Sequence, residues 1–235
     1  NICSSLIEEM KTISFYKEVS MVQRCTMGEG EKEIPEYYEN LICFGQPLEK
    51  ILRPLCVYSM VEKGVHKKLF KPLVTEITHC YGPESVITLT SLSKLGMFNE
   101  QGSLPFPQFQ NNFNELKKEF KLISRETINH DDPRDIGFAY GGYTPVTVKL
   151  VEQIARGGWR AIPKVMRFIP GDVIAPEVIR PCTSANRPVI LVYYVGGVTF
   201  GEVAALRLLG KLLGREMVVL TTELLNGESM LRSII

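Results

Sequence analysis

The stretch from Pro188 to Thr222, PVILVYYVGGVTFGEVAALRLLGKLLGREMVVLTT, decides the fold. Its apolar run from Val189 to Val195 predicts a strand that breaks at Gly196-Gly197. A capped helix opens at Thr199, and Met217 to Leu220 predicts a second strand. Strands joined through a helix pair in parallel. Unbroken apolar runs are the pattern of parallel strands buried on both faces, and two strands alone do not make a stable sheet. The preceding residues read almost entirely as helix. The expectation is therefore the C-terminal part of a longer protein, whose last strands complete a sheet begun upstream; the absence of Met at Asn1 agrees with this.

A strand, glycines and a helix also form the arrangement in which helix amides hold phosphates. Gly196-Gly197-Val198-Thr199-Phe200-Gly201-Glu202-Val203 has the outer glycines of a phosphate loop, but Glu202 stands at the lysine position and Val203 at the Ser/Thr position. As a dinucleotide fingerprint it fails at Val198, where a second glycine should admit the pyrophosphate. A structural motif of Gly196, Gly197, Thr199 and Glu202 accounts for the same residues better. Thr199 and Glu202 form T-x-x-E, a capping box in which each side chain satisfies the other's backbone amide. Gly201 is expected to let the helix approach the sheet, with Val203, Leu206, Leu209 and Leu213 as the sheet-facing stripe. A nucleotide-binding enzyme or regulator built on the Gly196-Gly197 turn is the alternative reading. Neither G-x-S-x-G nor H-E-x-x-H occurs, so no catalytic residue is assigned.

Upstream, the pattern predicts an all-α domain of packed helices. Leu6, Ile7, Met10, Ile13, Val19 and Val22 recur near the helical period, predicting a helix or helix pair over Ile2 to Met27. Pro35 starts a helix leading into Tyr37 to Phe44. Leu48 to Glu62 is apolar around much of its girth, which predicts a central helix, with Gly64 as its C-terminal cap. His66 to His79 carries an amphipathic stripe (Leu69, Phe70, Leu73, Val74, Ile77). After the Tyr81-Gly82-Pro83 turn come a helix from Ser85 to Leu95, a surface loop from Asn99 to Gln110, and a helix from Phe113 to Ile123. Ile136 to Tyr140 reads as a short strand or extended segment, and Gly141-Gly142 as a bend. Thr144 is the expected N-cap of a helix from Val146 to Ala155, with Pro145 at its first position. Trp159 is expected to be a buried anchor, Ala161 to Phe168 a short helix, and Asp172 to Pro188 a linker.

The 235 residues are 45% hydrophobic, enough for a sizeable core, and Lys+Arg of 27 against Asp+Glu of 26 leaves a net charge of +1. That balance gives no field to attract nucleic acid or a bare lipid surface. No apolar run approaches the ~20 residues that span a bilayer. The cysteines (Cys3, Cys25, Cys43, Cys56, Cys80 and Cys182) show no paired spacing, and most read as buried free thiols. His66, His79 and His130 have no metal-ligand spacing, so neither a metal nor a cofactor is assigned.

With these residues in view, the chain resembles the SM (Sec/Munc) family of regulators of SNARE-dependent membrane fusion. Val189 to Leu209 carries the strongest likeness, to that family's C-terminal strand, Gly-Gly turn and T-x-x-E helix. Asp132 to Ile154 (DPRDIGFAYGGYTPVTVKLVEQI) with Gly158-Trp159-Arg160, and Tyr81 to Leu95 (YGPESVITLTSLSKL) with Gly96, are similar to one vacuolar branch of it. The likeness covers most of the chain from about Leu48 onward.

The resemblance implies an arch-shaped, non-enzymatic protein. Residues 1–180 would be the later half of its helical third domain, and residues 181–235 a strand–helix–strand piece completing its second, α/β parallel-sheet domain. It implies a subunit of class C tethering complexes, cytoplasmic and peripheral on late endosome, lysosome or vacuole membranes. The helical domain would dock vacuolar protein sorting-associated protein 16 or a related subunit, and SNARE contacts would lie mainly on other parts of the family. Val74, Tyr81, Pro83 and Val86 match the region that contacts the partner subunit, although Pro83 departs from the larger side chains of many relatives. Tyr81 and Val86 have two readings open to them: an apolar docking patch, or closure of the local core.

Overall fold

A computed structural model describes residues 2–28, 33–103, 112–124, 132–158, 174 and 188–234. They divide into two compact units, Asn1–Asn111 with Gly227–Ile235, and Asn112–Asn226. The expected Trp159 anchor, the helix at 161–168 and nearly all of the linker lie outside the described residues.

The first unit is helical. A helix pair, α1 (Ile2–Met10) and α2 (Ile13–Met27), opens it. The Thr12 hydroxyl accepts the Phe15 amide at 3.2 Å to start α2, and left-handed Gly28 ends it. The apolar stripe read from the period does not lie inside: Leu6, Ile7, Met10, Ile13 and Val19 are exposed, and Met21 and Cys25 make the buried contacts. Next come α3 (Ile34–Cys43), with Pro35 in its first turn, and α4 (Leu48–Val61), the central element. Its Ile51, Leu52 and Leu55 are fully buried among Cys25, Ile34 and Tyr38. Burying each leucine or isoleucine contributes roughly 1.5–3 kcal/mol.

Lys63 takes the left-handed position after α4, not Gly64. Gly64 serves a different need, because a Cβ there would lie 2.7 Å from the Gln101 Cα. The helices α5 (Lys67–Tyr81) and α6 (Glu84–Lys94) pack on the same core through Leu73, Ile77, Leu89 and Leu92. The thiols only half follow expectation. Cys25 and Cys56 are buried, which pushes them up to about 11 and about 12, whereas Cys3, Cys43 and Cys80 are exposed.

In the second unit α7 (Phe113–Glu119) is shorter than its sequence suggests. The chain turns at Lys121, which has a positive φ, and Ile123 bridges antiparallel to Tyr143. Ile136–Tyr140 is a 3-10 turn, not a strand. Asp135 caps it by accepting the Gly137 amide at 2.9 Å, which coils the segment locally. Helix α8 (Val146–Gly157) begins after Pro145 without the Thr144 cap. Pro145 takes the N-cap position, one residue later than expected, and the Thr144 amide donates to the Leu122 carbonyl at 2.8 Å with Thr144 buried.

Strand β1 (Val189–Tyr194) and β3 (Glu216–Thr221) pair in parallel, from Val189 opposite Glu216 to Tyr194 opposite Thr221. Between them run the short β2 (Val198–Thr199) and α9 (Phe200–Leu213), and β2 pairs in parallel with β4 (Leu224–Leu225). Val192, Tyr194, Met217 and Val219 pack towards Ala205, Leu206 and Leu209 of α9, with Val148 of α8 in the same core. The buried stripe thus uses Ala205 where Val203 was expected. Burial alternates along both strands, so only one face is covered among the described residues; Leu191 and Tyr193 are each 60% exposed. Finally α10 (Gly227–Ile234) returns the chain to the first unit, where it packs on α4 and α6 and buries Leu231.

Candidate functional site

The corner between α5 and α6 gathers the residues assigned to partner binding, and their environments differ. Val74 and Tyr81 lie seven residues apart, on nearly one face of α5, and both pack half-buried against the helical core. The Tyr81 hydroxyl donates to the Gln46 carbonyl, and burial, with Cys80 adding, pushes its phenol up. Gly82, at φ 83° and ψ 173°, then turns the chain, and exposed Pro83 precedes the first turn of α6. The Ser85 hydroxyl donates back to the Gly82 carbonyl at 2.7 Å, tightening the corner.

On α6 the buried positions are Ser85, Thr88, Leu89 and Leu92, an i, i+3, i+4, i+7 set that defines the inner face. Val86 lies off that face and is 44% exposed. Ile87 beside it is 71% exposed and was missed by the sequence reading. The inner-face spacing was the available signal: once Ser85 and Thr88 are placed inside, Ile87 must point outward. Two adjacent exposed aliphatic residues on a corner rigidified by side-chain hydrogen bonds make an apolar contact point. Tyr81 supports that point from the core side.

The glycine turn shows a different chemistry. Gly196 and Gly197 have φ of 106° and 127°, values that L side chains rarely adopt, and a Cβ on Gly197 would overlap the Leu225 side chain. Thr199 is extended (φ −87°, ψ 152°), and both bonds of the capping box are present. The Glu202 amide donates to the Thr199 hydroxyl oxygen at 3.2 Å, and the Thr199 amide donates to the Glu202 carboxylate at 2.9 Å.

Further bonds converge on this pair. Thr199 Oγ1 donates to Glu202 Oε2 at 2.8 Å, and the Thr147 hydroxyl of α8 donates to Glu202 Oε1 at 2.6 Å. The Tyr140 hydroxyl lies 2.7 Å from Thr199 Oγ1. A hydroxyl has one proton, and that of Thr199 goes to the carboxylate, so Tyr140 is the donor. Burial, and secondarily the Glu202 charge, pushes the Tyr140 phenol up, while burial with Tyr140 and Glu202 pushes Tyr143 up to about 12. Gly201 does not admit the sheet. It admits the Tyr140 ring, which a Cβ there would overlap. The helix N-terminus, where a phosphate would sit, is thus engaged by the chain's own carboxylate, which also complements the helix dipole.

The chain belongs to the Sec1 family, whose model matches residues 1–233. That match includes the first helices, beyond the reach of the motifs quoted above. The chain is 33% identical over 240 residues to vacuolar protein sorting-associated protein 33A of Rattus norvegicus, covering 98% of this chain and 39% of that protein. To the vacuolar protein-sorting-associated protein 33 homolog of Arabidopsis thaliana it is 31% identical, over 94% of this chain and 39% of the relative. Vacuolar protein sorting-associated protein 33B of Homo sapiens is 25% identical, over 99% and 43% respectively. The chain therefore spans about two fifths of the length of these curated relatives.

Proposed function

We propose that the chain acts as part of a non-enzymatic subunit of a class C tethering complex, which binds SNARE proteins and promotes vesicle docking and fusion at endosomes and lysosomes or vacuoles. Its helical domain docks the partner subunit, vacuolar protein sorting-associated protein 16 or a relative, through the corner of Val74, Tyr81, Pro83 and Val86. The strand–helix–strand piece within residues 181–235 completes the α/β sheet of the second domain. The exposed Val86 and Ile87 pair carries this reading, because apolar anchors on a rigid corner are the kind of residue that dominates interface energy. Family membership and the vacuolar sorting names of the relatives support it, and so does the Glu202 carboxylate seated where a nucleotide phosphate would bind. No described helix is long and apolar enough to cross a membrane.

Val86→Asp is expected to abolish co-purification with the partner subunit while leaving the helical circular dichroism unchanged. Equal loss of folding would assign Val86 to the core and sink the docking assignment. Calorimetric titration with ATP, GTP and NAD tests the competing class; saturable binding lost on changing Gly197 would overturn the non-enzymatic reading.

A further inference from the structure

At the end of α9 opposite the capping box, an open pocket of about 460 Å³ is lined by Arg207, Gly210, Lys211, Gly214, Arg215 and Met217. Three of these six residues are cations and none is an acid. Arg207 and Lys211, four residues apart, share one helix face, and both are exposed; Arg215 follows in the turn, half-buried. None of the three side chains has an ion pair or hydrogen bond within the described residues. Glu216 is the adjacent acid in sequence, but strand alternation sends it to the face opposite Met217. In a chain of net charge +1, this is a local concentration of unneutralised positive charge in a concavity.

A helix C-terminus ordinarily repels anions, because its last carbonyls point outward. Here two of them are already engaged. The Gly214 amide donates to the Gly210 and Lys211 carbonyls, and the Arg215 amide donates to Gly210 at 2.9 Å. Gly210 itself is pressed against the returning chain, where a Cβ would meet the Arg215 carbonyl at 2.8 Å. The turn is therefore tightly built, with Gly210 admitting the returning chain and Gly214 leaving open space beside the cations. Complementing the helix dipole accounts for a cation in the last turn, but not for three unpaired cations around one cavity.

We propose that this pocket binds a phosphate-bearing ligand of the inositol phosphate class, with the guanidinium forks of Arg207 and Arg215 and the Lys211 ammonium each contacting phosphate oxygens. The ligand's source is either a lipid headgroup or a free inositol phosphate. The site lies wholly within the second unit and stands independently of the docking corner.

Isothermal titration of the full chain with inositol trisphosphate, beside flotation with phosphatidylcholine vesicles doped with phosphatidylinositol phosphate, tests it. Saturable binding that weakens with added salt is expected. The combined Arg207→Gln, Lys211→Gln and Arg215→Gln variant should weaken it on the order of a hundred-fold, with circular dichroism unchanged. Arg207→Gln with Lys211→Gln, which alters only exposed side chains, should weaken it about ten-fold or more. Binding to both probes identifies a lipid headgroup, and binding to the free ligand alone identifies a soluble phosphate. The proposal is overturned if neither probe binds, or if Lys67→Gln, Lys68→Gln and Lys71→Gln together weaken binding as much.

Discussion

Thr199 shows how much one side chain can carry. Its hydroxyl receives the Glu202 amide and the Tyr140 phenol while donating to Glu202, so the start of α9 and the 3-10 turn meet at a single oxygen. An ordinary N-cap deletion costs about 0.5–2 kcal/mol. Thr199→Ala is expected at the upper end, about 2 kcal/mol, since Tyr140 and the buried side of Glu202 lose their partner together. Urea unfolding followed by circular dichroism measures it, and Thr199→Ser, which keeps the oxygen, should remain near the parent. The T-x-x-E pair was legible in the sequence because capping is local, spanning three residues. Tyr140, fifty-nine residues away, was not; nothing in the spacing of Asp135 to Tyr143 announces which helix its ring will reach.

At the scale of elements, legibility followed the source of each element's stability. Helix α4 was readable straight through Pro54 because its apolar girth outweighs one lost backbone bond. The stripe of α1 and α2 was misplaced because exposed Leu6, Ile7 and Met10 have the period of a buried face without a covering neighbour among the described residues. Ile136–Tyr140 looked extended because it is a short apolar run of five residues, whereas the Asp135 cap and the Gly141 turn fold it into a 3-10 coil. The corner between α5 and α6 was half legible: its turn residues stood out, but Ile87 emerged only after the inner face of α6 was known. Contact between the 3-10 turn and α9 depends on Gly201 having no side chain. Gly201→Ala is expected to cost about 1–3 kcal/mol in unfolding free energy through overpacking on Tyr140. Adding Tyr140→Ala should recover part of that loss, a non-additivity that a double-mutant cycle reads directly.

For the whole molecule, the chain order matters as much as the contacts. The second unit is an insertion: the chain leaves the first unit near Asn111 and re-enters it at Gly227. Helix α10 then places Leu231 among the side chains of the first core. Leu231→Ala is expected to destabilise that core by about 2–5 kcal/mol. Hydrogen exchange should accelerate in α4 and α6 while α9 keeps its protection, since Leu231 takes no part in the second core.

This threading has a bearing on biosynthesis. Synthesis runs from the N-terminus, and domains generally fold as they emerge. Helices α1 to α6 leave the ribosome well before the segment carrying Leu231 is made, so their shared core stays open on one side while more than a hundred residues are added. Nascent chains at that stage display an oily cleft, a natural target for a chaperone, and shielding of it should cease once the Leu231 segment has been translated.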